Sequence, residues 1–251
     1  MDFISPADRL IVAADFKPTP QEAISKRGWV EKKVLMLADA LADTNIYLKV
    51  NSALRACGYS LIEQIHDRGL RVFADLKLFD IKETLATDGA FLRDVYPELL
   101  TVACVSGVSA IQALKAELPA TEVLGVTVLT SFSNDDSKMV FSCSTEEAVV
   151  RLAKLGGAAK AGGLISSAKE VPKLREELEI FGEVLMTFNT PAIRPAWYTD
   201  PNDDQDPSRI VTPSQAISAG AHRIVVGRPI VRAQNPREAV LRTLEEISQA
   251  S

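Results

Sequence analysis

Three charged residues at the end of an apolar run carry the strongest chemical signal in this 251-residue chain. They are Asp75, Lys77 and Asp80, in the stretch Phe73-Ala74-Asp75-Leu76-Lys77-Leu78-Phe79-Asp80-Ile81-Lys82-Glu83-Thr84. The run from Leu70 to Leu76 reads as a buried strand. Its two-residue period puts Asp75 and Lys77 on one face with Phe73, and Val72, Ala74 and Leu76 on the other. Charges in such a place are costly unless they pair. One reading is a structural ion pair on a rim. The other is a catalytic ammonium held between carboxylates, a preorganised charge that stabilises charge developing in a reaction.

Further polar residues stand at the ends of other apolar runs. Asp15 follows Leu10–Ala14, and Lys49 closes Ile46–Val50. Thr130 and Ser131 follow Val123–Leu129, and Gly227-Arg228-Pro229 follows Arg223–Val226. Gly lets a backbone approach an anion closely, and a guanidinium grips two of its oxygens. With Arg194 as a second cation, Gly227 and Arg228 suit a phosphate monoester, small enough for the loop from Ala192 to Arg209 to cover.

The elements that must position these groups alternate. Apolar runs at Leu10–Ala14, Ile46–Val50, Leu70–Leu76, Leu99–Cys104, Val123–Leu129, Gly163–Ser166, Glu183–Phe188 and Arg223–Val226 read as strands. Helical periodicity lies between them: Val30, Val34, Leu37 and Leu41; Val108, Ile111, Leu114 and Leu118; and Val240, Leu244 and Ile247. Ser144 with Glu147, and Thr212-Pro213-Ser214-Gln215, read as helix starts. The strands are apolar on both faces, as parallel strands covered by helices must be. Eight such units without a linker predict a (β/α)8 TIM barrel, one domain over residues 1–251, with its active site at the C-terminal strand ends. A doubly wound sheet is the runner-up. It would carry a Gly-rich turn after the first strand, where Asp15-Phe16-Lys17-Pro18 stands.

Composition narrows the chemistry. The chain is 47% hydrophobic with a formal charge of −5, which argues against nucleic-acid or anionic-membrane partners. No window approaches eighteen uninterrupted apolar residues, and the first residues show no basic segment leading into an apolar one. Cys57, Cys104 and Cys143 are widely spaced and make no framework, so a soluble, cytoplasmic protein is expected. His66 and His222 are the only histidines. A His/Cys metal centre is therefore not expected.

Taken in order, Lys49, Asp75-x-Lys77-x-x-Asp80-Ile81-x-x-Thr84, Val126-Thr127-Val128-Leu129-Thr130-Ser131, Thr190-Pro191-Ala192-Ile193-Arg194-Pro195 and Val225-Val226-Gly227-Arg228-Pro229-Ile230 resemble the orotidine 5′-phosphate decarboxylase family. The resemblance spans most of the chain and implies decarboxylation of orotidine 5′-monophosphate to UMP, the last step of pyrimidine nucleotide synthesis, without a cofactor or metal. It implies that Lys77 protonates C6 of the pyrimidine, that Asp75 sits by the substrate carboxylate, and that Asp15 and Lys49 hold the ribose hydroxyls. Thr130 would contact the pyrimidine. Arg194, Gly227 and Arg228 would hold the phosphate, with Gln205 bridging from the loop. The implied active unit is a homodimer in which Asp80 and Thr84 reach the neighbouring subunit's site.

Some positions depart from the family pattern. Lys82-Glu83 replaces a frequent Pro-Asn, Ala103 a frequent His and Ala192 a common Gly, and the Lys17–Gly28 segment is longer. Three alternatives remain. A metal-dependent 3-keto-hexulonate-phosphate decarboxylase of the same superfamily would carry a Glu where Lys49 stands. A Schiff-base aldolase would need an uncharged nucleophilic Lys. A non-catalytic phosphate-binding barrel would have no use for three charges at a strand end.

Overall fold

The computed structural model describes residues 5–18, 25–180, 186–200 and 210–250. After a short 3-10 turn at Pro6–Arg9 come β1 (Leu10–Ala13), α1 (Lys26–Ala40), β2 (Tyr47–Val50), α2 (Ser52–Cys57), α3 (Ser60–His66) and β3 (Arg71–Leu78). Then follow α4 (Lys82–Arg93), β4 (Leu99–Ala103), α5 (Val108–Glu117), β5 (Glu122–Val126), α6 (Asn134–Phe141), α7 (Thr145–Ala158) and β6 (Gly163–Ile165). The chain continues through α8 (Val171–Ile180), β7 (Thr187–Thr190), α9 (Pro213–Ser218), β8 (Arg223–Val226), α10 (Arg228–Val231) and α11 (Pro236–Ser248).

Among the described residues the strands close into a barrel in sequence order, β1 through β8, with β1 beside both β2 and β8. This is the expected (β/α)8 barrel rather than the doubly wound runner-up. Each of β1, β2 and β8 is buried along its whole length, because helices cover the outside of a parallel barrel while side chains fill its interior. By contacts the chain falls into two compact units. One gathers Met1–Asp75, Pro191–Ser218 and His222–Ser251; the other gathers Leu76–Thr190 and Ala219–Ala221.

The helix starts are realised locally. Ser144 Oγ accepts the Glu147 N–H at 3.2 Å. Thr212 and Gln215 bond reciprocally, Gln215 N–H to Thr212 Oγ1 at 3.2 Å and Thr212 N–H to Gln215 Oε1 at 3.0 Å. Helices α2, α6 and the short α10 were not anticipated. Helix α6 opens on a Ser133–Asp136 capping box, but its residues Asn134–Phe141 lack a long apolar stripe.

Strand β7 differs from expectation. Its anticipated beginning, Glu183 to Leu185, lies outside the described residues, and the strand continues through Asn189 and Thr190, past the Phe188 at which the sequence reading ended it. Pairing with β6 extends it: Gly163 faces Thr187, Ile165 faces Asn189, and the Ser166 N–H donates to the Asn189 carbonyl at 3.2 Å. A Cβ at Gly163 would lie 2.1 Å from Thr187 Oγ1, so glycine is required for these strands to meet.

Candidate active site

The geometry begins with register. Ala13 of β1 pairs with Lys49 of β2, and Lys49 pairs with Phe73 of β3. Asp15 and Asp75 each stand two residues beyond Lys49's partners. Asp75 therefore projects from the same face of β3 about 7 Å farther along, and Asp15 lies just past the end of β1, both within reach of a lysine side chain. Lys49 Nζ does lie between them, 3.1 and 2.9 Å from the two Asp15 carboxylate oxygens and 3.2 Å from Asp75 Oδ2. Lys49 and Asp75 are buried, whereas the Asp15 side chain is 57% exposed. An ammonium shared by a buried and an open carboxylate is a charged group fixed in position with one side facing solvent.

At Lys77 the period-two basis for the face assignment made from the sequence is lost. Its φ is 49°, in the left-handed region, so the two-residue alternation that governs Phe73 to Leu76 is broken at Lys77. It no longer follows that Lys77 shares a face with Asp75. The conformation is unfavourable for a residue with a Cβ by roughly 1–2 kcal/mol, and such strain concentrates at functional positions. The Lys77 N–H is satisfied by Thr101 Oγ1 on β4, at 2.9 Å. Thr101 is fully buried. Sequence reasoning passed over it, although a lone hydroxyl in Leu99-Leu100-Thr101-Val102 was the available signal.

Asp80 is exposed just before α4, its carboxylate accepting the Ile81 N–H at 2.7 Å. On α4, burial and then repulsion by Asp80 push the Asp88 carboxyl up from its ordinary value. Thr84 occupies the first turn of the same helix, half-buried, and Thr130 is exposed beyond β5. Phe79 and Ile81, on either side of Asp80, are 67% and 66% exposed.

Arg194 is buried, with Nη1 donating to the Ile193 carbonyl at 3.1 Å and its backbone N–H to Val211 O at 3.0 Å. Ala192 before it has φ 67°, which accounts physically for the Gly common at that position. Gly227 caps α10, directly after β8, and Arg228 opens that helix. A Cβ at Gly227 would meet Ala13 Cβ at 3.6 Å, an ordinary contact, so it is the turn itself, at φ −108° and ψ −99°, that favours glycine there. Gln205 lies outside the described residues. The cysteines are buried and free, and burial pushes the Cys104 thiol up to about 12, which leaves it inert as a nucleophile. No helix among the described residues is long and apolar enough to cross a membrane.

Comparison with known proteins agrees with this arrangement. The family model for orotidine 5′-phosphate decarboxylase / HUMPS matches residues 8–243. The chain is 35% identical over 240 residues to orotidine 5′-phosphate decarboxylase of Saccharophagus degradans, covering 93% of this chain and 98% of that one. It is 36% identical over 245 residues to the enzyme of that name from Hahella chejuensis, covering 95% and 97%. Among solved structures, orotidine 5′-phosphate decarboxylase from Lactobacillus acidophilus superposes with a TM-score of 0.77 at 28% identity, covering 96% of this chain and 99% of that one. A barrel with Lys49 between two aspartates and a match along nearly the whole chain together show that the protein belongs to the orotidine 5′-phosphate decarboxylase / HUMPS family.

Proposed function

We propose that the protein decarboxylates orotidine 5′-monophosphate to UMP and carbon dioxide in pyrimidine nucleotide synthesis, as a homodimer in the cytoplasm. The observation that carries this reading is the Lys49 ammonium held between Asp15 and Asp75, in a chain of this family. Loss of carbon dioxide from C6 leaves an electron pair that the pyrimidine ring cannot delocalise well. Without a cofactor, fixed positive charge must stabilise that pair. Lys77 takes this role and delivers the proton to C6 as carbon dioxide departs. Asp75 faces the substrate carboxylate, and Asp15 and Lys49 hold the ribose hydroxyls. Thr130 contacts the pyrimidine.

Arg194, Gly227 and Arg228 hold the phosphate, with Gln205 bridging from its loop. Gly227 turns the chain at φ −108° and ψ −99°, a backbone shape that residues with a Cβ rarely adopt, and so brings the start of α10 within close reach of an anion. Energy from gripping the phosphate, remote from C6, is used at the reacting centre. Asp80 and Thr84 act in the partner's site, and the exposed Phe79 and Ile81 beside Asp80 supply apolar surface for the dimer contact.

The metal-dependent hexulonate-phosphate alternative is disfavoured by Lys49, whose ammonium fills the space between Asp15 and Asp75 where a divalent cation would need to bind. The discriminating experiment treats purified protein with a chelator, adds orotidine 5′-monophosphate and follows the pyrimidine ultraviolet absorbance. Turnover at full rate is expected. A folded dimer that binds the nucleotide without turnover would instead be the non-catalytic phosphate-binding barrel.

A further inference from the structure

The segment after Arg194 is built around two aromatic residues. The Tyr198 N–H donates to the Pro195 carbonyl at 2.9 Å. This turn folds the Tyr198 ring back toward Arg194, whose guanidinium carbon lies 5.9 Å from the ring centroid. The ring packs edge-on against Trp197, with centroids 6.3 Å apart and planes at 90°. Trp197 lies under the Arg242 guanidinium of α11 at 4.7 Å, and the Ala196 N–H donates to Glu246 of the same helix at 3.0 Å. The segment is therefore anchored on α11 before it reaches Tyr198.

The hydroxyl of Tyr198 continues the connection. It donates to Asp200 Oδ2 at 3.0 Å, and the same oxygen lies 3.8 Å from Arg232 Nη1. The Arg232 N–H donates to the Arg228 carbonyl at 3.0 Å, one helical turn back. One face of Tyr198 thus meets Arg194, while its hydroxyl leads through Asp200 and Arg232 to the turn that starts at Arg228. The aromatic face attracts the guanidinium, and the phenol–carboxylate bond fixes the ring's direction.

We infer that Tyr198 and Asp200 are positioning residues that hold Arg194 in a fixed relation to the backbone turn that starts at Arg228, and so set the preference for a 5′-phosphorylated ligand over the bare nucleoside. This rests on the reading of both arginines as phosphate-binding. Two guanidiniums that must converge on one small anion gain from being spaced before it arrives, because the ordering is then not charged against binding.

The test compares UMP and uridine, the latter titrated into the millimolar range, as competitive inhibitors of turnover. Tyr198→Leu weakens UMP about five- to tenfold, leaves uridine within a factor of about two, and raises KM more than it lowers kcat. Tyr198→Phe, which keeps the ring, and Asp200→Asn each weaken UMP about two- to threefold with uridine unchanged. In an Arg194→Ala background, Tyr198→Leu adds less than about a twofold further loss, since coupled residues are not additive. Equal loss for UMP and uridine, or UMP inhibition within a factor of about two of the parent in Tyr198→Leu, overturns the proposal. If Tyr198→Leu does not fold by circular dichroism, the Phe and Asn variants decide, and unchanged UMP inhibition in both overturns it. Arg194→Ala separates the two levels. If it leaves UMP inhibition intact, the phosphate reading itself fails; if it weakens UMP while the Tyr198 variants do not, only the positioning role fails.

Discussion

The backbone N–H of Lys77 donates to the hydroxyl of Thr101 at 2.9 Å, so the left-handed strand end bearing the proposed proton donor is tied to β4. Removing that acceptor strands a backbone donor at a conformation that is already unfavourable. Thr101→Val is expected to destabilise the fold by about 1–3 kcal/mol and to lower kcat about tenfold through misplacement of Lys77. Thr101→Ser restores most of both. Lys77→Ala, in contrast, abolishes turnover while nucleotide binding survives. Chemical denaturation and steady-state kinetics of the same four proteins separate the effects, and near-native turnover in Lys77→Ala shows that another group supplies the proton.

Lys49 carries charge compensation for a buried carboxylate. Lys49→Ala leaves Asp75 buried without that ammonium, and a loss of about 3–5 kcal/mol is expected. Asp15→Ala opens only the exposed arm of the same network and changes stability by less than about 1 kcal/mol. Urea midpoints for the two variants measure the asymmetry, and equal losses refute it.

Ala192 holds φ 67° immediately before the buried Ile193 and Arg194. Ala192→Gly relieves the Cβ clash of the left-handed region, while the freer glycine loses more entropy on folding. A net gain of about 0.5–1 kcal/mol is expected, with Ala192→Val destabilising. Thermal unfolding of the three proteins reads the order directly.

Asp8 gives a pH dependence with a definite sign. Burial pushes its carboxyl up, but the Ser5 N–H and the Arg71 guanidinium outweigh burial and hold it below its ordinary 3.8. A carboxyl whose value is lowered in the folded state adds stability above 3.8 and loses it as pH falls through the lowered value. Asp8→Asn is therefore less stable than the parent at pH 7, by about 1–2 kcal/mol. The gap shrinks once the pH drops below 3.8. Arg71 also bonds Tyr47 Oη and the carbonyls of Ala7 and Asn45, so the barrel keeps those ties. Denaturation series at pH 7 and at acid pH measure both gaps, and a constant gap contradicts the assignment.

The proposed dimer is tested at Ile81, whose exposed side chain lies beside Asp80. Ile81→Asp is expected to give a monomer by sedimentation and to lose turnover at least about tenfold, since the partner no longer supplies Asp80 and Thr84. A fully active monomer removes both the dimer and the shared-site assignments.

Much of the barrel was legible because parallel strands buried on both faces leave continuous apolar runs, and polar residues at their ends stand out. Asp15, Lys49 and Asp75 were found that way, and strand register brings them together. Lys77 was found as a residue, but its face could not be read from a period-two pattern, since nothing in such a pattern marks a positive φ on a lysine. Strand β7 runs further than the sequence reading gave it because Asn189 and Thr190 are polar, and pairing across the sheet, Asn189 with Ile165 of β6, keeps them in it. Thr101 and Tyr198 act through a hydroxyl's partner or a ring's neighbour, information that belongs to tertiary contacts.

The pairing of Leu10 with Ile224, two residues far apart in the chain, has a consequence for biosynthesis. The barrel cannot close until its eighth strand has been translated, and contacts of such long sequence separation form slowly. Asp15, Lys49 and Asp75 all leave the ribosome within the first third of the chain, whereas Arg194 and Arg228 emerge near the end. The nascent chain thus carries the buried Lys49 and Asp75 well before the strand that seals them in. That interval is when a chaperone would have most to shield.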